Sequence, residues 1–462
     1  DRPCLEPTAF VHRLAELVEE AKVVKVADGC GLEPRPHFAG PTTGRPQIRL
    51  TTEEHLAVEA VTNALATDND LFVRCGKVVR PTLAPDDTGL AAGLRIQRPE
   101  AAVSLLAAEP AFVRLKVTEQ VDLITFKGEQ RGWEPCHPPV WLVPGVMARP
   151  GRIRPIDGVL SGPSLRSDGS MIDQPGYDPS TRLFLARGCP GLVVPEAPGL
   201  EEARAAAGVL ADLVEQFPWK EAGDFSRWLA LLLTACARHL FDKVPLGLIN
   251  ANVAGAGKTR LCEIVSVIAH GHDQPILMSW PEGTELQNRG DELRKRFASL
   301  LEEGATLVAL DNLVRGEAID SPELCGLLTS TAYSDRLLGR NDGRRVGGPN
   351  NCLFLATGNQ VWPSGDLADR TLVVTLDSPH PSPRDLPEAH WRIPCLMAHA
   401  RENRPELLRA VLTIWRAWIQ AGKPRPPGPT WGSFETWAES VPCMLRWLGM
   451  PDRSEERFSR NA

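Results

Sequence analysis

Asn252-Val-Ala-Gly255-Ala-Gly257-Lys258-Thr259 is the stretch on which the reading of this chain turns. An apolar run of strand length, 244–249, precedes it, and a stretch of helical periodicity, 259–269, follows. Gly255 and Gly257 free the backbone to aim its N–H groups inward, and a helix N-terminus adds partial positive charge, the two ingredients of a phosphate cradle. In such a loop Lys258 reaches the β- and γ-phosphates of a nucleoside triphosphate, and Thr259 offers its hydroxyl to Mg2+. Val253, Ala254, Ala256 and Arg260 complete the stretch expected to line the nucleotide. Asn252 stands where the motif has its first glycine, so a different turn into the loop is expected.

Working outward, four more apolar runs follow at 276–279, 306–310, 352–356 and 371–376, most of them separated by helical segments. That alternation predicts a parallel sheet with helices on both faces. The run 306–310 ends in Asp311-Asn312, and Asp311 is the carboxylate expected to hold Mg2+ through its water shell. Asn312 occupies the place where many hydrolytic phosphate-loop enzymes carry a Glu that activates water. Either another residue orients that water or turnover is slow. The run 352–356 leads into Thr357-Gly358-Asn359, an amide placed to reach the γ-phosphate or the attacking water. Arg370 precedes the last run and reads either as a surface residue or as an arginine finger acting on a neighbour's nucleotide.

The front of the chain reads as a helix at 8–22, a Pro- and Gly-rich linker at 29–48, and a helix opened by a capping box at Thr51-Thr-Glu-Glu54. A hairpin turning at Cys75-Gly76 spans 71–80. Residues 200–216 and 224–242 are long apolar helices. Beyond 383 three proline-punctuated helices follow, at 387–402, 405–421 and 431–448. Their tryptophans (415, 418, 431, 437, 447) recur at helical spacing and predict core packing. The resulting organisation is an N-terminal helix and linker (1–49), a mixed α/β module (50–198), an α/β core (199–383) and a helical C-terminal module with tail (384–462).

Composition bounds the rest. A chain of 462 residues implies about three domains. With 43% hydrophobic and 24% charged residues, disordered and fibrous classes drop out. No apolar run approaches the ~18 residues of a membrane span, so no membrane partner is expected. Eleven cysteines without a CxxC pair fit reduced thiols in a cytoplasm. His270-x-His272 and Cys136-His137 lack a second half at metal spacing and read as core or surface residues. The net charge of −7 requires any nucleic-acid contact to come from a local patch. Arg149, Arg152 and Arg154 read as surface.

The order of these elements resembles AAA+ ATPases, with the spacing of superfamily-3 helicases. Asp157-Gly-Val-Leu160, Pro163-Ser-Leu-Arg-Ser-Asp-Gly-Ser170 and Gln174-Pro-Gly-Tyr-Asp-Pro-Ser180 extend the likeness. So do Leu310-Asp-Asn312, Thr331-Ala-Tyr-Ser-Asp-Arg-Leu-Leu-Gly339 and Ala356-Thr-Gly-Asn359. Together they resemble the helicase part of prophage and integrative-element primase-helicases, relatives of the poxvirus type, over about 70–380. The resemblance implies an AAA+ core and a hexameric ring of identical subunits that hydrolyses Mg-ATP at its interfaces and moves on single-stranded or forked DNA. Lys258 and Thr259 would bind nucleotide, Asp311 would hold Mg2+, Asn359 would sense the γ-phosphate and Arg370 would be the finger. It also makes the Asp311-Asn312 pair usual. No primase signature is present; a primase module, if one exists, is expected upstream of Asp1 or on another chain.

Between the Asp311 and Asn359 runs, Arg336, Arg340, Arg344 and Arg345 crowd a Gly-flanked segment, 335–345, where superfamily-3 motors carry a channel hairpin. The segment is either a DNA-phosphate contact or a solvated basic turn, with Arg340 alternatively facing an interface nucleotide. Two rival functions stay open: an ATP-driven initiator or loader, and a nucleotide-gated DNA-binding scaffold with little hydrolysis.

Overall fold

The computed structural model describes residues 44–83, 96–99, 102–281, 286–311, 313–336, 345–387, 390–428 and 430–451; of 96, 286–288, 335–336 and 345–346 it describes the backbone alone. The expected helix at 8–22, most of the linker, Asn312, Arg340 and Arg344 lie outside the described residues.

The chain is a mixed α/β protein built on a sheet of six strands: β1 (Ile96–Gln97), β2 (Leu246–Ala251), β3 (Ile276–Ser279), β4 (Leu307–Asp311), β7 (Leu353–Asn359) and β8 (Thr371–Leu376). Two further strands between β4 and β7 in the chain, β5 (Ala332–Arg336) and β6 (Arg345–Pro349), form a separate ribbon. The sheet order is β8-β2-β7-β4-β3-β1, with the first five parallel and β1 antiparallel at the edge. Strands β2, β4 and β7 are buried along nearly their whole length because helices cover both faces. The sheet therefore follows the expected alternation, except that its edge strand β1 comes from the mixed α/β module at the front of the chain.

Helix α1 (Leu200–Leu213), α2 (Ala222–Cys236), α3 (Lys258–His270), α4 (Leu286–Glu302) and α5 (Arg404–Gln420) surround the sheet. Asp224, buried in the first turn of α2, accepts the N–H of Glu221 at 3.0 Å and that of Thr375 in β8 at 2.8 Å. One carboxylate thus caps the helix and fastens it to the sheet. Burial pushes its pKa up against these bonds. The C-terminal tryptophans pack inward as expected. Trp415 donates to Leu233 O at 3.0 Å and Trp437 to Thr234 Oγ1 at 2.8 Å, both on α2. One cluster of buried side chains runs from Leu165 through Trp228, Phe297 and Leu355 to Leu448.

In the front module the hairpin forms where expected, Phe72–Arg74 pairing with Lys77–Leu83 across Cys75 (φ 50°) and Gly76 (φ 75°). The capping box does not form. The helix starts at Glu54 with Glu53 as its N-cap, so Thr51 sits two residues too early, its hydroxyl accepting the N–H of Glu53 instead. The first helix beyond 383 is also shorter than expected, Leu396–Glu402, because residues before it are held in turns.

The front module is bolted to the end of α4. Arg74 is buried and donates to the carbonyls of Leu301 (2.7 Å) and Glu302 (2.5 Å). Lys77 pairs with Glu302, and Arg98 with Glu303 at 2.5 Å. Cations at a helix C-terminus satisfy carbonyls that have no partner within the helix and complement its dipole. The same helix end supports the ribbon, since a Cβ on Gly348 in β6 would come 2.8 Å from Leu301 O and 2.9 Å from Arg74.

Candidate nucleotide site

Because β2, β4 and β7 run parallel, Ala251, Asp311 and Asn359 all end at one edge of the sheet, where open α/β sheets place their ligand crevices. The loop from Asn252 leaves β2 at this edge and feeds α3, with Gly257 as N-cap. Gly255 (φ 82°) and Gly257 (φ 101°) take backbone conformations that residues with a Cβ resist. Space forbids a side chain too: a Cβ at 257 would lie 2.6 Å from the Phe217 ring, and one at 255 would lie 2.6 Å from Arg384 Cγ.

Lys258 is the first residue of α3 and is buried, yet carries a charge. Its Nζ donates to Asn359 Oδ1 at 2.6 Å and more weakly to Val253 O at 3.4 Å. Burial, and secondarily the Arg384 guanidinium, pull its pKa below the usual lysine value. Asn359 is fixed from two sides. Its carbonyl accepts the N–H of Gly316 (3.2 Å), and the turn after it is held by Gln360 N–H to Ala251 O (3.0 Å) and Val361 N–H to Asn250 Oδ1 (3.1 Å).

Asn252 explains its own departure from glycine. Its amide donates to Asp377 Oδ1 (2.6 Å) and Ser378 O (2.9 Å), while its Oδ1 accepts the N–H of Ser378 (3.0 Å). The loop is thereby tied to the segment leaving β8 by three hydrogen bonds that glycine could not make. Val253, Ala254, Ala256, Thr259 and Arg260 follow around the turn, with Thr259 and Arg260 exposed; Arg260 pairs with Glu263 at 2.7 Å. Asp311, half-buried, lies two strands from the loop and close enough to α3 to act electrostatically on Cys262.

Arg370 is not brought to this edge. It ends a 3-10 turn, Gly365–Arg370, just before β8 begins, and so lies at the opposite end of the sheet from Lys258. It donates to Asp366 O at 2.7 Å and pairs with the Asp366 carboxylate at 3.3 Å. The described ends of the basic segment belong to an antiparallel ribbon, β5 pairing with β6 with positions 336 and 345 in register.

Other residues singled out in the sequence are structural. Arg154 donates to Thr67 O (2.9 Å) and lies over the rings of Phe72 and Tyr177, while Arg152 pairs with exposed Glu59. Arg166 and Asp178, from the two 163–180 motifs, bind each other at 2.7 Å; that guanidinium holds the Asp178 carboxyl well below the usual range. His272 is buried and His270 partly so; desolvation pushes their pKa values down to about 4 and about 3. Among the described residues, no group of three or more His, Cys, Asp or Glu could hold a metal ion. Sequence reading missed Arg384 and Phe217. Neither sits in a motif, and only the fold lays them over the two loop glycines.

The chain matches no protein-family model, and no curated protein matches it. Among solved structures it is similar to the A-form apo structure of the NrS-1 C-terminal region, with 12% identity, a TM-score of 0.37, and 78% of this chain and 70% of that one covered. A second A-form apo structure of that region, spanning 305–718, matches at 13% identity and TM-score 0.36, with 74% of this chain and 64% of that one covered. Likeness at this level carries no inference about the site. Among the described residues no helix is long and apolar enough to cross a membrane.

Proposed function

We propose that this chain is an ATP-hydrolysing DNA motor subunit of the superfamily-3 AAA+ type, working as a ring with its site completed by a neighbouring copy. The observation that carries the reading is the Lys258–Asn359 bond at the carboxyl edge of the parallel sheet, beside two glycines in left-handed conformation at a helix N-terminus. A desolvated ammonium held by an amide has little reason to be there unless an anion joins it. A triphosphate would take the loop N–H groups and Lys258, leaving Asn359 beside the terminal phosphate.

Thr259 and Asp311 offer a hydroxyl and a carboxylate, the hard oxygen donors that suit Mg2+, which keeps several waters and takes few protein ligands. When bound, Mg2+ would neutralise charge on the phosphate oxygens. Arg370 stands at the far end of a six-residue strand, roughly 20 Å away by strand rise, so a finger role requires another copy. The β5–β6 ribbon, with its arginines, would meet DNA phosphates.

The test is the ATPase rate with and without single-stranded DNA for wild type, Lys258→Ala and Arg370→Ala, each with its oligomer size. Stimulation by DNA, two inactive variants and partial recovery on mixing them support the motor. Nucleotide binding with negligible turnover would replace it by a nucleotide-gated scaffold. Turnover without strand separation on a forked substrate would favour an initiator or loader.

A further inference from the structure

We infer that Trp431, in the C-terminal helical module, is a positioning residue for Arg370, so that the C-terminal module of each subunit sets the arginine it offers to its neighbour. The inference rests on the finger role proposed for Arg370. The turn that carries this arginine, Gly365–Arg370, lies at the surface: Leu367 is buried, while Gly365, Asp366 and Asp369 are exposed. A single helical turn leaves its last carbonyls without partners of its own. Asp369 O, one of these, accepts the indole N–H of Trp431 at 2.5 Å, from 62 residues further along the chain. That oxygen belongs to the peptide group that joins Asp369 to Arg370. Because the peptide group is planar, holding its oxygen fixes the plane from which the Arg370 side chain departs.

Trp431 can act as a fixed post because its ring is anchored elsewhere. It stands 5.3 Å from Trp437 and 6.1 Å from Phe434, edge to face with each, and both of those rings are buried. Trp437 in turn donates to Thr234 Oγ1 on α2 at 2.8 Å. A line of contacts thus runs from a core helix through two indoles to the backbone at Arg370. Tryptophan suits the task, since its ring packs while its N–H reaches a partner. The guanidinium is steadied separately, by Asp366 O at 2.7 Å and the Asp366 carboxylate at 3.3 Å. Placement matters because a finger acts only at hydrogen-bond distance from the transferring phosphoryl group, and a shift of about 1 Å can cost about 100-fold in rate. The sequence gives Trp431 a packing role alone; the second role comes from where its N–H is aimed.

Trp431→Phe keeps an aromatic ring and removes the donor. Alone, it is expected to lower DNA-stimulated kcat about 10-fold, with KM for ATP within about 2-fold and the melting temperature within a few degrees of wild type. The deciding experiment uses mixed rings of the full chain, in which Lys258→Ala subunits supply the arginine and Arg370→Ala subunits supply the phosphate loop. Trp431→Phe added to the Lys258→Ala subunit should cut the recovered ATP turnover about 10-fold, whereas added to the Arg370→Ala subunit it should leave turnover within about 2-fold. A merely structural role would harm both pairings alike. Equal loss from either side, or no loss from either, overturns the inference while the finger stands. If the parent mixture recovers nothing, the finger reading itself fails and takes this inference with it.

Discussion

The loop at 252–257 and the Arg370 turn are two concentrations of chemistry built in opposite ways. The loop that follows β2 is completed by two segments more than a hundred residues further along the chain, the end of β7 and the turn after β8. Its cation is buried and its glycines have no room for a methyl group. The Arg370 turn is one stretch of six residues at the surface, its arginine steadied by Asp366 within it and its backbone by Trp431. A site that must hold charge in a fixed geometry is supported from every side, whereas an arginine meant for a neighbour is fixed through its backbone and kept near the surface. Substitutions should therefore cost activity and stability together at the loop, and activity alone at the turn.

Lys258→Ala should produce the largest effect, a fall in ATP turnover on the order of 10²–10³-fold, read by steady-state phosphate release. A rate near wild type would remove the loop from the chemistry. Gly257→Ala comes next. It forces a Cβ into the left-handed region and against Phe217, so chemical denaturation should register a loss of about 2–3 kcal/mol. Asn252→Gly restores the commoner loop residue but removes two hydrogen bonds to Ser378 and one to Asp377. A loss of about 1–2 kcal/mol is expected, and a gain would mean that the asparagine strains the loop instead of anchoring it.

Acid should act at the far end of α3, where His270 and His272 lie. Their folded pKa values, about 3 and about 4, sit below the ordinary value of 6.5. Below pH 6.5 the unfolded chain takes up protons that the folded one refuses, so stability rises with pH across that window and falls as pH drops toward 4. The melting temperature should fall by at least a few degrees from pH 6.5 to 4.5, and His272→Gln should flatten that slope. The smallest effect on stability belongs to the turn: Asp366→Ala should cost under about 1 kcal/mol, and a cost matching Gly257→Ala would erase the contrast.

How much of this was legible in the sequence follows from the range of each signal. Strand-length apolar runs and a Gly-x-Gly-Lys-Thr ending are local patterns, and the central sheet, α3 and the glycine conformations followed from them. The strand ends shifted by one to three residues, as at β2 and β7, because backbone pairing with a neighbour, not hydrophobicity, sets where a strand stops. The capping box at Thr51 failed on position: the spacing was present, but the chain began its helix at Glu54.

What the chain order alone determined was the set of elements and the identity of the loop residues, since both depend on neighbours within a few positions. Only the tertiary structure decided that Lys258 would meet Asn359, that Asn252 would fasten the loop to Ser378, that Arg384 and Phe217 would overlie its glycines, and that Arg370 would stand at the far end of the sheet. The Lys258–Asn359 and Asn252–Ser378 contacts join segments brought together by parallel strand pairing, and Phe217 and Arg384 come from loops beside the sheet; such partners lie far apart in sequence and leave no periodic trace in it.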